Sequence, residues 1–375
     1  MRRRTFVRTG AAAAGIGVAG CVMPATDDEP DDDLEVDEPE NDEQNGGSDD
    51  DGTLRIATYS SMVTGETPAG EWLTETFEAQ FPDAELEWTV PESGIDHYVQ
   101  RARLGAEIDA DIYLGLPVDG LVLADVEPEV SLFETLDRSK LERESRIRDS
   151  IAFDDPDGRI VPFGVGYVAP VYDGETLSAP ETLDDLLDER YENALLVQNP
   201  RYSTPGRAFL LWTIATYGDD YLEYWEGLLE NGLEVHPSWT SAYRDSYLEG
   251  VRSMVVSYTT DQVAATVAER DLERHQVATP DGEAYRSVEG MAIFEETEKP
   301  DLAYEFLDFV LSREVQGELA TRNVQFPAVE QEYVGVEEAF VDYAIEPDEP
   351  VTVAYDDIAD DLETWIDAWE SEIGD

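Results

Sequence analysis

Ala194-Leu195-Leu196-Val197-Gln198-Asn199-Pro200-Arg201-Tyr202-Ser203-Thr204-Pro205-Gly206 is the stretch from which the chain is best read. The apolar run 194–197 has the length and composition of a short buried strand. Residues 207–217 follow with a helical pattern. Between the two stand two prolines, a glycine and two hydroxyls. Ser203 or Thr204 is placed to cap the helix, and Pro205 suits its first turn. A helix start presents unpaired N–H groups and the positive end of its dipole. Strand, polar turn and helix start therefore make either an ordinary connection or one wall of a ligand cradle.

The same alternation runs outward in both directions. Toward the N-terminus, residues 54–59 alternate as a strand and 60–65 form the loop after it. Residues 72–81 read as a helix, 85–90 as a strand with the exit turn Pro91-Glu92-Ser93-Gly94, and 96–104 as a helix. Residues 110–116 are a buried strand, with a turn at 117–120. Residues 160–173 form a long extended run broken by Gly and Pro, suited to a crossing between lobes, and 182–187 a short helix. Toward the C-terminus, residues 220–230 are helical, and 238–243 open another helix with Trp239 and Tyr243 four apart on one face. Residues 253–258 are a strand, and Thr259-Thr260-Asp261 supplies a turn and a cap for a helix over 262–270. A strand at 290–294 precedes an amphipathic helix at 300–311. Ile358, Leu362, Trp365, Ile366, Trp369 and Ile373 form a helical stripe of the core-packing kind.

Strands alternating with helices argue an α/β fold of two lobes, each a mostly parallel sheet flanked by helices. Ligands belong at the C-terminal ends of such strands, between the lobes. The expected division is 53–163 with 261–320 as one lobe and 164–260 as the other. Residues 321–375 would pack an amphipathic helix on both. No internal repeat is present.

The start of the chain carries a different message. Arg2-Arg3-Arg4-Thr5-Phe6-Val7-Arg8 is a basic n-region, and residues 11–20 an apolar h-region too short to span a bilayer comfortably. The arginine pair followed by Thr-Phe-Val resembles a twin-arginine export signal. Val18-Ala19-Gly20-Cys21 resembles a lipobox, which implies cleavage before Cys21 and a lipid on its sulfur. Gly15-Ile16-Gly17-Val18-Ala19-Gly20 matches a dinucleotide fingerprint by spacing alone, without the strand that fingerprint needs. Cys21 is the single cysteine. An intramolecular disulfide, a thiol nucleophile and a cysteine-ligated metal are thereby excluded. Residues 27–52 hold 15 acidic side chains and no Lys or Arg. So polar and self-repelling a segment buries too little to offset the entropy of ordering, and 22–52 reads as an extended tether.

The formal charge is −63, from 24 basic and 87 acidic side chains. That field repels nucleic acid and anionic membranes. It also opposes compaction, unless molar salt shortens the Debye length to about 3 Å. The composition therefore indicates a high-salt organism of the haloarchaeal kind. It reports habitat and not ligand. No apolar stretch after Cys21 is long enough to cross a membrane.

Templates for catalysis fail. There is no G-x-S-x-G elbow and no Walker A loop. His97, His236 and His275 share no ligand spacing, which argues against a metal. No cofactor is indicated, and the chain reads as a binding protein, not an enzyme. What remains is a set of strand-end loops bearing aromatics and hydroxyls: Tyr59-Ser60-Ser61, Glu92-Ser93-Gly94, residues 164–167 with Tyr167, Ser203-Thr204-Pro205-Gly206, the pair Trp239 and Tyr243, and Tyr258-Thr259-Thr260. Together they suggest an aromatic-lined cleft, suited to flat or cationic ligands.

Several motifs in order resemble the thiamine-binding periplasmic protein family. They are Ile56-Ala57-Thr58-Tyr59, Val161-Pro162-Phe163-x-x-Gly166-Tyr167, residues 199–206 followed by Leu210-Leu211-Trp212 and Tyr217-Gly218-Asp219-Asp220, Trp239-x-x-Ala242-Tyr243, and Val256-Ser257-Tyr258-Thr259-Thr260. The similarity spans roughly residues 53–327. It implies the two-lobed type II periplasmic-binding-protein fold and a partnership with an ABC importer's permease. It implies that Tyr59, Trp239 and Tyr258 stack on the ligand's rings. Ser203, Thr204, Tyr167 and Tyr243 would lie near its hydroxyethyl or phosphate end. The family's aspartate after the first-strand tyrosine is Ser60 here, and its late Asn-Trp-x-Tyr-Pro reads Asn323-Val324-Gln325-Phe326-Pro327. A stacking tryptophan is thus absent, so a pyrimidine precursor such as hydroxymethylpyrimidine is an alternative ligand. Ferric iron, a polyamine or an oxyanion on the same fold is a further one; ferric sites usually need adjacent tyrosines, and no Tyr-Tyr pair occurs. The expected whole is a monomeric lipoprotein on the outer face of the cytoplasmic membrane, without nucleic-acid partners.

Overall fold

The computed structural model describes residues 52–65, 67–125 and 131–374. The export signal, Cys21 and the tether through residue 51 lie outside them. The chain begins with β1 (Thr53–Ala57), α1 (Ser60–Val63), α2 (Ala69–Gln80), β2 (Glu85–Thr89), α3 (Ile95–Arg103), β3 (Ile112–Pro117) and α4 (Val118–Ala124). The crossing strand β4 (Val161–Tyr172) leads to β5 (Leu195–Gln198), α5 (Thr204–Tyr217), α6 (Tyr221–Glu230), β6 (Glu234–His236), a π-helix at Thr240–Tyr247, and β7 (Met254–Tyr258). Then come α7 (Asp261–Val267), β8 (Gln276–Val277), β9 (Glu283–Ile293), α8 (Pro300–Val310) and α9 (Arg313–Arg322). The chain closes with β10 (Phe326–Pro327), α10 (Glu338–Tyr343), β11 (Glu349–Val351), α11 (Tyr355–Ile358) and α12 (Leu362–Glu372).

The strands form one eleven-stranded sheet along the path β2-β1-β3-β9-β4-β7-β5-β6, with β8 and β10 on β4 and β11 on β9. Each end of the path is parallel: β2, β1 and β3 on one side, and β7, β5 and β6 on the other. Two long antiparallel strands, β9 and β4, join them. All of β4 except its last residue is buried, as expected of an apolar strand covered on both faces. Its first half pairs with β9 and its second half with β7, so the run at 160–173 does cross from one parallel unit to the other.

The pairings return the chain to the first unit through β9, and not at residue 261. Val277 and Gln276 still pair with Val171 and Tyr172, whereas Glu289 to Ile293 pair with β3. The strand expected at 290–294 thus begins earlier, at Glu283. Two further corrections are local. Residues 60–63 are a helical turn, not a loop, and 184–187 are a 3-10 turn.

The core beneath the first unit is aromatic. Phe77 of α2 meets Phe306 and Phe309 of α8 edge-on, with ring centroids 5.4 and 5.2 Å apart. Such pairs add to the area they bury. The C-terminal stripe packs as read. Ile358, Leu362, Ile366, Trp369 and Ile373 are buried, and Trp369 meets Trp225 of α6 edge-on at 5.3 Å. Arg201 ties the loop before α5 to α12 through Asp367 and, at 2.6 Å, Glu370.

Candidate functional site

Both parallel units aim the C-terminal ends of their strands at one cleft of about 1580 Å³. One wall carries Thr58 to Ser61 after β1, Pro91 to Asp96 after β2, and Gly115 to Pro117 of β3. The other carries Arg201 to Pro205 at the start of α5, Ser238 to Thr240 after β6, and Ser257 and Tyr258 of β7. Gly166 and Glu289 also line it, as do Asn323, Val324 and Gln325.

Of the expected ligand residues, Tyr59, Ser60, Glu92, Ser93, Ser203, Thr204, Pro205, Trp239, Tyr243 and Tyr258 line this cleft. Tyr167, Gly206 and Thr259 do not. The Tyr167 hydroxyl donates to Glu346 at 2.9 Å and its ring meets Phe326 edge-on, which turns it away. Gly206 faces β5, where a Cβ would run into the Gln198 carbonyl. Thr259 is fully buried, and its N–H donates to the Tyr167 carbonyl at 2.8 Å. Ser203 takes the N-cap position of α5, but its hydroxyl makes no capping bond. Thr260 likewise precedes α7 without a side-chain cap.

Local backbone features explain how the aromatics sit. β3 shifts register between Leu114 and Leu116, at Gly115 with φ +97°. Only glycine takes that conformation readily, and without a Cβ it lets the Tyr59 ring lie against the backbone. Gly166 does the same for Tyr258, whose ring would stand 2.9 Å from an added Cβ. Trp239 stacks on Tyr243 with centroids 4.7 Å apart and planes within 10°. The Trp239 indole N–H donates to the Ser257 hydroxyl at 3.0 Å. The helix beneath this pair is a π-helix, a form concentrated at functional sites.

Three polar constellations were not legible in the sequence. In the first, the Tyr59 hydroxyl donates to Glu289 at 3.0 Å and accepts from the Asn323 amide at 2.6 Å. Burial, offset in part by that hydrogen bond and reinforced by Asp119, pushes the Glu289 carboxyl up to about 7. In the second, Tyr243 donates to Asp261, and His275 Nδ1 lies 2.6 Å from the other Asp261 oxygen. Burial, and then Asp261, pushes the Tyr243 hydroxyl well above its ordinary range. In the third, Arg207 of α5 pairs with buried Asp119 of α4 and donates to the Pro200 carbonyl at 3.1 Å. This pair joins the two units at the start of α5. Beside the first constellation, Val324 holds φ +53°, a strained conformation for a β-branched residue.

Glu289 of β9 is thus a buried acid in the cleft lining, held by Tyr59, while the position after Tyr59 holds the neutral Ser60. The only sequence hint to Glu289 is an acid beside Gly290 at the mouth of an apolar strand.

Comparison with known proteins agrees with this architecture. Residues 128–361 match the family model described as bacterial extracellular solute-binding protein. The thiamine-binding periplasmic protein of Brucella suis is 30% identical over 322 residues, which cover 84% of this chain and 91% of that protein. The protein of the same name from Escherichia coli is 31% identical over 280 residues, 73% of this chain and 80% of its own. A solved structure titled periplasmic thiamin binding protein superposes with a TM-score of 0.76 at 27% identity, covering 87% of this chain and 98% of that one. With its strand-end cleft and its crossed sheet, the chain belongs to the bacterial extracellular solute-binding proteins and has the type II periplasmic-binding-protein fold.

Proposed function

We propose that this chain binds thiamine or a thiamine phosphate outside the cell and delivers it to the permease of an ABC importer. The observation that carries the reading is the set of aromatic walls, Tyr59, Tyr258 and the Trp239–Tyr243 stack, around a cleft in a chain similar to proteins named for thiamine binding. Thiamine joins an aminopyrimidine to a cationic thiazolium, and both rings suit stacking and cation–π contact. The α5 start, with Ser203 and Thr204, would meet the hydroxyethyl or phosphate end through free hydroxyls and N–H groups at the positive end of the helix. Glu92, Ser93, Ser60 and Pro205 would complete the lining. No bond is made or broken.

The two parallel units act as lobes in this reading, with β4 and β9 as the hinge and residues 321–375 as a brace. Closure buries the ligand and presents a composite surface to the permease. The chain works as a monomer, held to the membrane through lipidated Cys21 on its acidic tether, in a high-salt exterior reached by twin-arginine export.

Calorimetry in molar salt tests the ligand. Thiamine and its phosphates should bind at micromolar concentration or tighter (about −8 kcal/mol), with hydroxymethylpyrimidine weaker and Fe(III) silent. If no thiamine compound binds better than about millimolar, the reading is wrong. Tight binding of the pyrimidine alone would favour the precursor, in line with Val324 standing where a tryptophan is expected.

A further inference from the structure

Glu289 is set in the cleft by the backbone on both sides. Across β9 it pairs with Pro117 of β3 and with Gly164 of β4. Each partner strand has a register shift beside it, at Leu114/Leu116 and at Pro162/Gly164. Irregularities of this kind re-aim side chains next to sites. Glu289 is 9% exposed, and its carboxyl accepts a hydrogen bond from the Tyr59 hydroxyl.

The groups facing it are the Tyr59, Tyr258 and Tyr113 phenols, with Asp119 contributing a further negative charge. No ion pair joins Glu289 to a cation among the described residues, and Arg207 of the same cleft is committed to Asp119. A buried carboxylate without a counter-charge is strongly disfavoured. It must hold a proton or wait for a cation, and two tyrosine rings beside it offer faces that attract one.

We propose that Glu289 is the counter-charge for a cationic heterocyclic ligand, and that seating the cation beside Tyr59 and Tyr258 displaces a proton from the Glu289 carboxyl to solvent. The O–H bond of the carboxylic acid is the one bond broken, its electrons stay on the carboxylate, and the ligand's positive charge replaces the proton's. This deepens the thiamine reading and rests on it. It makes uptake select for charge as well as ring shape.

The experiment is calorimetry on the whole mature protein, with thiamine and the neutral hydroxymethylpyrimidine, in buffers of high and low ionisation enthalpy. Near pH 6, thiamine binding to the wild type should release a proton, read as a buffer-dependent enthalpy. The release should fade well above pH 7, and affinity should drop up to tenfold for each unit of pH below that. The neutral pyrimidine should release none. Glu289→Gln should bind thiamine roughly 10- to 100-fold more weakly, without buffer dependence, and keep its affinity for the pyrimidine. Tight thiamine binding by the wild type with no proton release at any pH overturns the proposal and leaves the thiamine reading standing. A wild type that ignores thiamine at every pH overturns that reading itself. The proton count is taken on the wild type, so it does not depend on the variant folding.

Discussion

Replacing Glu289 with Gln should stabilise the empty protein, and only at high pH. The carboxyl's climb from 4.5 to about 7 on folding means that the folded chain binds this proton more tightly than the unfolded one. The stability it lends is fully present below pH 4.5 and is lost as pH rises through about 7. Ionising the side chain in its place therefore costs about 3 kcal/mol. Glutamine keeps an oxygen to accept from Tyr59 and cannot ionise. The gain from Glu289→Gln should be near zero at about pH 4.5, rise through neutrality and level off near 3 kcal/mol above about pH 8. Urea unfolding of both proteins in molar salt across that range measures it. A difference that stays flat with pH would refute the reasoning, because it would mean that Glu289 is solvated or paired in the folded state. Saturating thiamine should shrink the gap, since the bound cation then stabilises the ionised wild type.

Other perturbations test separate parts of the structure. Trp239→Ala should weaken thiamine binding roughly 10- to 100-fold with little change in the melting midpoint, since it removes a stacking face at the cleft; unchanged affinity takes Trp239 out of the site. Gly206→Ala drives a Cβ into the Gln198 carbonyl at the root of the cradle and should cost about 1–3 kcal/mol of stability in urea titration. A wild-type midpoint would mean that α5 packs less closely on β5 than described. Trp369→Ala empties the contact with Trp225 and should cost about 3–5 kcal/mol; a smaller loss would mean that α12 is an accessory and not part of the core.

The stretch before α5 was legible because it obeys local rules: an apolar run, a proline at the first turn, and a glycine where strand and helix meet. β4 was legible as a crossing because it is too long and too apolar for a surface loop. The first half of β9 was not. Glu283, Arg286, Ser287 and Glu289 give it the polarity of a connection, and only its pairing with β4 makes it a strand. Glu289 was lost with it. α9 was missed for a similar reason, since Val315 and Leu319 are too sparse among charges to show a face. His275 and Asp261 stand 14 residues apart, and a turn of the fold brings them together. Spacing rules for ligands are local and cannot see such a pair. Tyr167 misled in the opposite sense: it lies on the right strand, and alternation along that strand turns it to the far side of the sheet.

The two-strand ribbon of β4 and β9 gives the molecule a mechanical character. Hydrogen bonds tie the ribbon together from Val161 opposite Met291 to Val168 opposite Tyr285, so the halves cannot slide past each other without breaking a ladder. A twisted ribbon of this kind yields far more readily by coiling or uncoiling about its own length. The molecule is in effect a torsion spring with a grip at each end. Its stiffness resides in the backbone ladder, whereas most of the cleft lining comes from loops and strand ends outside the ribbon. Sequence change in the loops can therefore alter what is held while leaving untouched how quickly the spring opens to let it go.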